Sequence, residues 1–185
     1  MPRLFTALAL PLEIAAELHN FKAPLPSARW IDPANYHITI RFIGDIKNTI
    51  AEELADNLAQ YEADSFEIQL SGLNVFGGHR PKTLWARVLP SPQLDMLYRA
   101  HESAARKAGL TPARQKFKPH VTLARFRNTR IDAVSKYLQQ HADWTSKPVL
   151  IDRFLLMSSK PRTGGGPYVV EEEFSLRNYS AWTEN

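Results

Sequence analysis

Two stretches, HITIRFIG from His37 and HVTLARF from His120, carry the same His-x-Thr pattern 83 residues apart in a chain of 185. Both lie in runs of β-branched and aliphatic residues, and side chains alternate faces along a strand. His37 and Thr39 therefore share one face, as do His120 and Thr122, while Ile38 and Val121 turn the other way into a core. Six histidines and ten threonines give about 0.3 such pairs from composition alone. Two copies in matching strand contexts predict a chain folded as two similar halves whose polar strand faces meet.

The remaining pattern supports that duplication. RLFTALAL reads as a first strand and Pro11 starts a short helix. Asp32-Pro33 marks a turn before the first motif. Thr49, with Glu52 three positions on, predicts a capping box for a helix from Ile50 to about Tyr61. SFEIQLSGLNVF and TLWARVLP read as strands around the loop GGHRPK, and Ser91 caps a helix ended by Gly109. After HVTLARF come a helix near 131–141, the strand VLIDRFLLMSS, a glycine turn at Thr163–Pro167 and a closing strand YVVEEEFSL. Strands and helices mix without a regular βαβ rhythm, which predicts an α+β class with mainly antiparallel sheets. Residues 1–185 are expected to form one bilobal domain.

Composition excludes several chemistries. The sequence has no cysteine, which removes disulfides, thiolate nucleophiles and cysteine-based metal sites. No apolar run is long enough to span a bilayer, and the opening MPRLFTALALPLE is too short and lacks a cleavage site for a leader, so a cytoplasmic protein with no membrane partner is expected. Net charge is +4, but residues 79–130 hold 12 Lys and Arg against Asp95 and Glu102. That block is either solvated charge or a surface for phosphates.

If the two motif faces converge, two imidazoles become an acid–base pair, since a pKa near 6.5 leaves both forms accessible around neutrality. Displacement at phosphorus without a metal needs one base for water and one acid for a leaving alkoxide. Threonine hydroxyls and an arginine suit the non-bridging oxygens. No His-Glu-x-x-His or carboxylate neighbour completes a metal site around His37 and His120, and no Gly-x-Ser-x-Gly elbow is present. The other histidines, His19, His79, His101 and His141, repeat no partner and read as structural or solvated.

The blocks RWIDPANYHITIRFIGDI and KFKPHVTLARF, with RLFTALALP and IDRFLLMSSKPRTGGGPYVVEEEFSL, resemble the 2H phosphoesterases, named for two His-x-Thr-x motifs, in their RNA 2′,3′-cyclic phosphodiesterase branch, also called 2′-5′ RNA ligases. The resemblance implies a bilobal pseudo-two-fold fold with two mainly antiparallel sheets lining a groove and helices outside. It implies opening of RNA 2′,3′-cyclic phosphate ends, or of a related cyclic nucleotide, to 2′-phosphomonoesters, without metal or cofactor. Reversal of the chemistry would be 2′-5′ ligation. Other small cyclic phosphates, 2′-5′ oligonucleotides and an inactive RNA-binding module are the competing readings. His37 matches the proton donor, His120 the proton acceptor, and Thr39, Thr122 and Arg125 phosphate-binding positions; a monomer is expected.

Strand parity conflicts with one of these assignments. Arg41, four residues after His37, should share its face, whereas Arg125, five after His120, should point away unless the strand bulges. Trp30, Tyr36, Phe42, Trp85 and Phe126 are the aromatic candidates for stacking on a base.

Overall fold

The computed structural model describes residues 3–159 and 167–177, so all of the predicted glycine turn except Pro167 lies outside the described residues. In order, the elements are β1 (Arg3–Ala9), α1 (Leu12–His19), β2 (Ala28–Trp30), a 3-10 turn (Pro33–Asn35), β3 (His37–Gly44), α2 (Asn48–Ala59), β4 (Phe66–Ile68) and β5 (Leu70–Phe76). Next come β6 (Thr83–Val88), α3 (Pro92–Lys107), β7 (His120–Phe126), α4 (Asp132–Gln140), β8 (Val149–Ile151), β9 (Arg153–Ser159) and β10 (Tyr168–Ser175). Adding 83 to the bounds of β4 and β5 gives those of β8 and β9. The spacing of the two motifs is thus the spacing of the two halves of the fold.

The α+β class holds, and among the described residues every pairing between the named strands is antiparallel. The main sheet runs β10-β9-β1-β3-β7-β6-β5, with β2 also on β7, and β4 pairs with β8 in a small second sheet. The two expected half-sheets, one ending at β3 and the other at β7, join edge to edge through Ile38 opposite Val121. Glu67 stands opposite Leu150 at the centre of the small sheet. Both pairs match a residue with its counterpart 83 positions on. In an antiparallel ladder a local two-fold passes between directly opposed residues, so a pseudo-two-fold axis runs through both pairs.

Helices cover one face of the main sheet. Leu18, Leu54, Leu58, Leu94, Leu97 and Val134 pack there against Ile38, Ile40, Val121 and Leu123. Each fully buried side chain of this kind stabilises by about 1.5–3 kcal/mol. Ile38 and Val121 are the residues between the His and Thr of each motif, so the helix-side core fixes the facing of all four polar groups. On the opposite face Phe5, Ala7, Leu155 and Met157 form a smaller cluster flanked by Tyr168.

Local expectations fared unevenly. Ser91 does cap α3, accepting the Leu94 N–H at 3.1 Å, and Gly109 takes a positive φ of 77° just past its end. Asp32 Oδ1 accepts the Ala34 N–H at 2.9 Å and closes the expected turn before β3. Thr49 does not cap α2: the helix starts at Asn48 with Lys47 as the flanking residue and no side-chain cap bond. The predicted strands SFEIQLSGLNVF and VLIDRFLLMSS each break, at Gln69 and Asp152, where the chain passes from the small sheet to the main one. Among the described residues no helix is long and apolar enough to cross a membrane.

Candidate active site

The register around the axis brings the motifs together. With Ile38 opposite Val121, one residue either way along the antiparallel register sets His37 toward Thr122 and Thr39 toward His120, all on the face away from the helices. All four side chains are half-buried. His37 Nδ1 lies 2.8 Å from the Asn35 carbonyl oxygen and His120 Nδ1 lies 2.7 Å from that of Lys118. A carbonyl only accepts, so in both rings Nδ1 carries the proton and donates it. Each neutral imidazole is left with Nε2 as its basic atom. The hydroxyl of Thr39 lies 3.2 Å from His37 Nε2 and donates to it.

Aromatic walls hold both rings. His37 packs against Phe5 at 5.2 Å and edge-on to Tyr168 at 4.9 Å between centroids. His120 packs edge-on to Phe76 at 4.9 Å and to Trp85 at 5.6 Å. Phe76 ends β5 next to Gly77, whose φ is 109° and where a Cβ would meet the Arg80 carbonyl oxygen at 2.5 Å; glycine lets the loop turn there. The Lys118 ammonium lies over the rings of Phe76 and Trp85, 5.3 and 4.8 Å from their centroids.

These surroundings depress the basicity of both histidines. Burial lowers the His37 pKa first, and the positive charges of His120 and Arg125 lower it further against the opposing effect of the Asn35 bond. His120 is lowered by burial, then by Lys118 and Arg125, against its Lys118 backbone bond. Both rings are therefore mainly neutral near pH 7, and each is sensitive to charge in the groove.

The parity conflict resolves through paired bulges. Along β1 and β3, Thr6 pairs with Arg41 and Ala7 with Thr39, so Ile40 is an extra residue. Along β6 and β7, Leu84 pairs with Ala124 and Trp85 with Thr122, so Leu123 is extra. An extra residue in one strand reverses the facing of the residues beyond it. Arg125, opposite Thr83, thereby joins the groove face and is exposed. Arg41 goes to the helix side, where its guanidinium pairs with Glu102 on α3. The Arg-Phe endings of the two motifs are not equivalent: 83 residues relate Phe42, not Arg41, to Arg125.

The aromatic candidates separate as sharply. Phe42 is 54% exposed, and its pairing with Phe5 puts it on the histidine face. Trp85, Tyr36 and Phe126 are buried, and half-buried Trp30 donates its indole N–H to the Ala23 carbonyl at 3.1 Å. Sequence reading missed Phe5, Phe76 and Tyr168 as ring walls, since apolar strand residues carry no mark of which face they line. The two anchoring carbonyls were findable, both lying two residues before a motif histidine. Of the other histidines, His101 is buried with Nδ1 2.8 Å from the Thr6 hydroxyl, His79 is exposed, and His19 and His141 are half-buried. Among the described residues no three His, Asp or Glu side chains gather as a metal site.

Comparison with known proteins agrees with this architecture. Residues 10–162 match the family model described as the 2′-5′ RNA ligase superfamily. An Aeropyrum pernix protein named RNA 2′,3′-cyclic phosphodiesterase is 34% identical over 116 residues, 61% of this chain and 66% of that one. An Aquifex aeolicus protein of the same name is 32% identical over 155 residues, 80% of this chain and 81% of its own. The crystal structure of E. coli LigT in apo form shares the fold with a TM-score of 0.74 at 22% identity, over 95% of this chain and 98% of that one. With two His-x-Thr strands paired about a pseudo-two-fold axis, the chain belongs to the 2′-5′ RNA ligase superfamily of 2H phosphoesterases.

Proposed function

We propose that this protein hydrolyses RNA 2′,3′-cyclic phosphate ends, or a related cyclic nucleotide, to 2′-phosphomonoesters by metal-independent acid–base catalysis. The observation that carries the reading is the commitment of both Nδ1 atoms to backbone carbonyls, which leaves two Nε2 atoms on one face. Relatives that bear the name RNA 2′,3′-cyclic phosphodiesterase support it.

In this reading the cyclic phosphate lies over the pseudo-two-fold axis. Thr39 and Thr122 donate to its non-bridging oxygens, and Arg125 supplies the fixed positive charge. Arg125 has no carboxylate partner among the described residues. A bound anion favours a protonated imidazole, offsetting the burial and cationic neighbours that lower both histidine pKa values. His120 Nε2 takes a proton from water as its oxygen attacks phosphorus. The bond from phosphorus to the 3′ oxygen breaks, and that oxygen takes the proton of His37 Nε2. The 2′-phosphate remains, and proton exchange with solvent resets the pair. A 5′-hydroxyl in place of water gives 2′-5′ ligation by the same geometry.

Phe42, exposed beside His37, is the platform on which the terminal base stacks. Because the site draws on both halves, we read residues 1–185 as one bilobal domain acting as a monomer in the cytoplasm, with RNA as its partner. Replacement of either catalytic histidine tests the assignment. His37→Ala and His120→Ala should each lower turnover of a cyclic-phosphate RNA end by about 10²–10⁴-fold with the fold intact by circular dichroism. Wild-type rates in both variants would remove the acid–base reading and favour an RNA-binding module.

A further inference from the structure

The pseudo-symmetry is broken at several positions along the groove, and one of them distinguishes its two ends. Where the first half presents Phe42, the second presents Arg125, and a second cation stands beside it. Arg29, at the centre of β2, is directly opposite Arg125 on β7. Residues directly opposed across an antiparallel pair project from the same face with Cβ atoms about 4.5–5.5 Å apart. Arg29 is exposed and so is Arg125, and Arg125 faces the histidines. β2 also continues along β7 into the first motif, since the Ile31 N–H donates to the Leu123 carbonyl at 2.9 Å. Arg29, Arg125, His37 and His120 therefore line one continuous face.

Two arginine forks on one face suit phosphate oxygens bidentately. If Arg125 serves the scissile phosphate, the anion left for Arg29 is the next one along the chain.

We propose that Arg29, beside Arg125, forms a subsite for the phosphate 5′ to the terminal nucleotide, so that the preferred substrate is a phosphate-bearing chain end rather than a free cyclic nucleoside phosphate. The inference rests on the function proposed above and adds a residue that reads substrate class. In it the terminal nucleotide lies across the groove, with its base toward Phe42 and its 5′ side toward Arg29.

Binding of product mimics tests the subsite separately from catalysis. Calorimetry would compare adenosine 2′-phosphate with adenosine 2′,5′-bisphosphate, on the wild-type protein and on Arg29→Gln and Arg29→Lys. The 5′-phosphate should tighten wild-type binding by about tenfold or more. Arg29→Gln should erase that gain while leaving adenosine 2′-phosphate affinity within about twofold, and Arg29→Lys should keep part of it. A bisphosphate bound no more tightly than the monophosphate by wild type, or equally favoured by Arg29→Gln, overturns the subsite. Turnover of adenosine 2′,3′-cyclic phosphate with and without a 5′-phosphate, run in parallel, separates the two ideas. Absence of turnover with the binding preference intact refutes hydrolysis and supports the subsite.

Discussion

Replacing Arg41 by alanine should unfold this protein more readily while replacing Arg125 should not, although both arginines precede phenylalanine at the end of a His-x-Thr strand. Arg41 and Glu102 side chains are each only 9% exposed. Arg41 also donates to the carbonyls of Phe42 and Thr111, at 2.6 Å each, and Glu102 accepts the Ala113 N–H at 3.2 Å. Removing the guanidinium strands a buried carboxylate, a loss of about 3–5 kcal/mol. For a domain of this size that lowers the melting temperature by roughly 6–20 °C, at about 2–4 °C per kcal/mol. The assay is urea unfolding followed by tryptophan fluorescence, with turnover measured well below each transition. Arg125→Ala should leave the midpoint within about 0.5 kcal/mol and lower turnover by about 10²–10³-fold, as loss of one oxyanion donor does. The double variant Arg41→Met/Glu102→Leu should recover much of the stability lost in Arg41→Ala, because two apolar side chains replace two desolvated charges. An Arg41→Ala protein as stable as wild type, with turnover reduced like that of Arg125→Ala, would refute the paired-bulge assignment.

Two pH dependences arise from the buried imidazoles. Because the pKa values of His37 and His120 are both lowered, the free enzyme loses its protonated acid as pH rises through one depressed pKa and its neutral base as pH falls through the other. The bell in kcat/KM should therefore centre on the acid side of about 6.5; a bell centred above pH 7 contradicts the desolvated pair. His101, which contacts no groove residue in the proposed mechanism, has its pKa lowered to about 3 by burial. Below pH about 6.5 the unfolded chain takes up a proton that the folded chain refuses, so stability is complete above that pH. It falls by up to about 1.4 kcal/mol per pH unit toward the folded pKa. Denaturant unfolding of His101→Leu should show a flatter acid limb than wild type, and an identical slope would show that His101 is not the group responsible.

Much of the site was legible because strand alternation and the 83-residue repeat are local features of the sequence. His37, Thr39, His120 and Thr122 share a face as alternation requires, and Ile38 and Val121 sink into the core between them. What alternation could not supply was the bulge. No residue type marks Ile40 or Leu123 as extra, since the bulge depends on how β1 and β6 pair with the motif strands, and those pairings are long-range. The same limit applies to the breaks at Gln69 and Asp152, where two apparently continuous strands each serve two sheets. β2 was not foreseen because three residues, Ala28 to Trp30, are too few for a period to register. The failure at Thr49 is local instead: Asn48 already has helical backbone, which places Thr49 inside the first turn rather than at its entry.

In the proposed mechanism two opposed imidazoles open a cyclic phosphate with no metal and with one regiochemistry. Phosphorus NMR of a short RNA ending in a 2′,3′-cyclic phosphate, incubated with the protein in excess EDTA, tests it most directly. The expected result is conversion of the cyclic signal to that of a 2′-phosphomonoester. A cyclic signal that persists, or converts to a 3′-phosphomonoester, contradicts the claim.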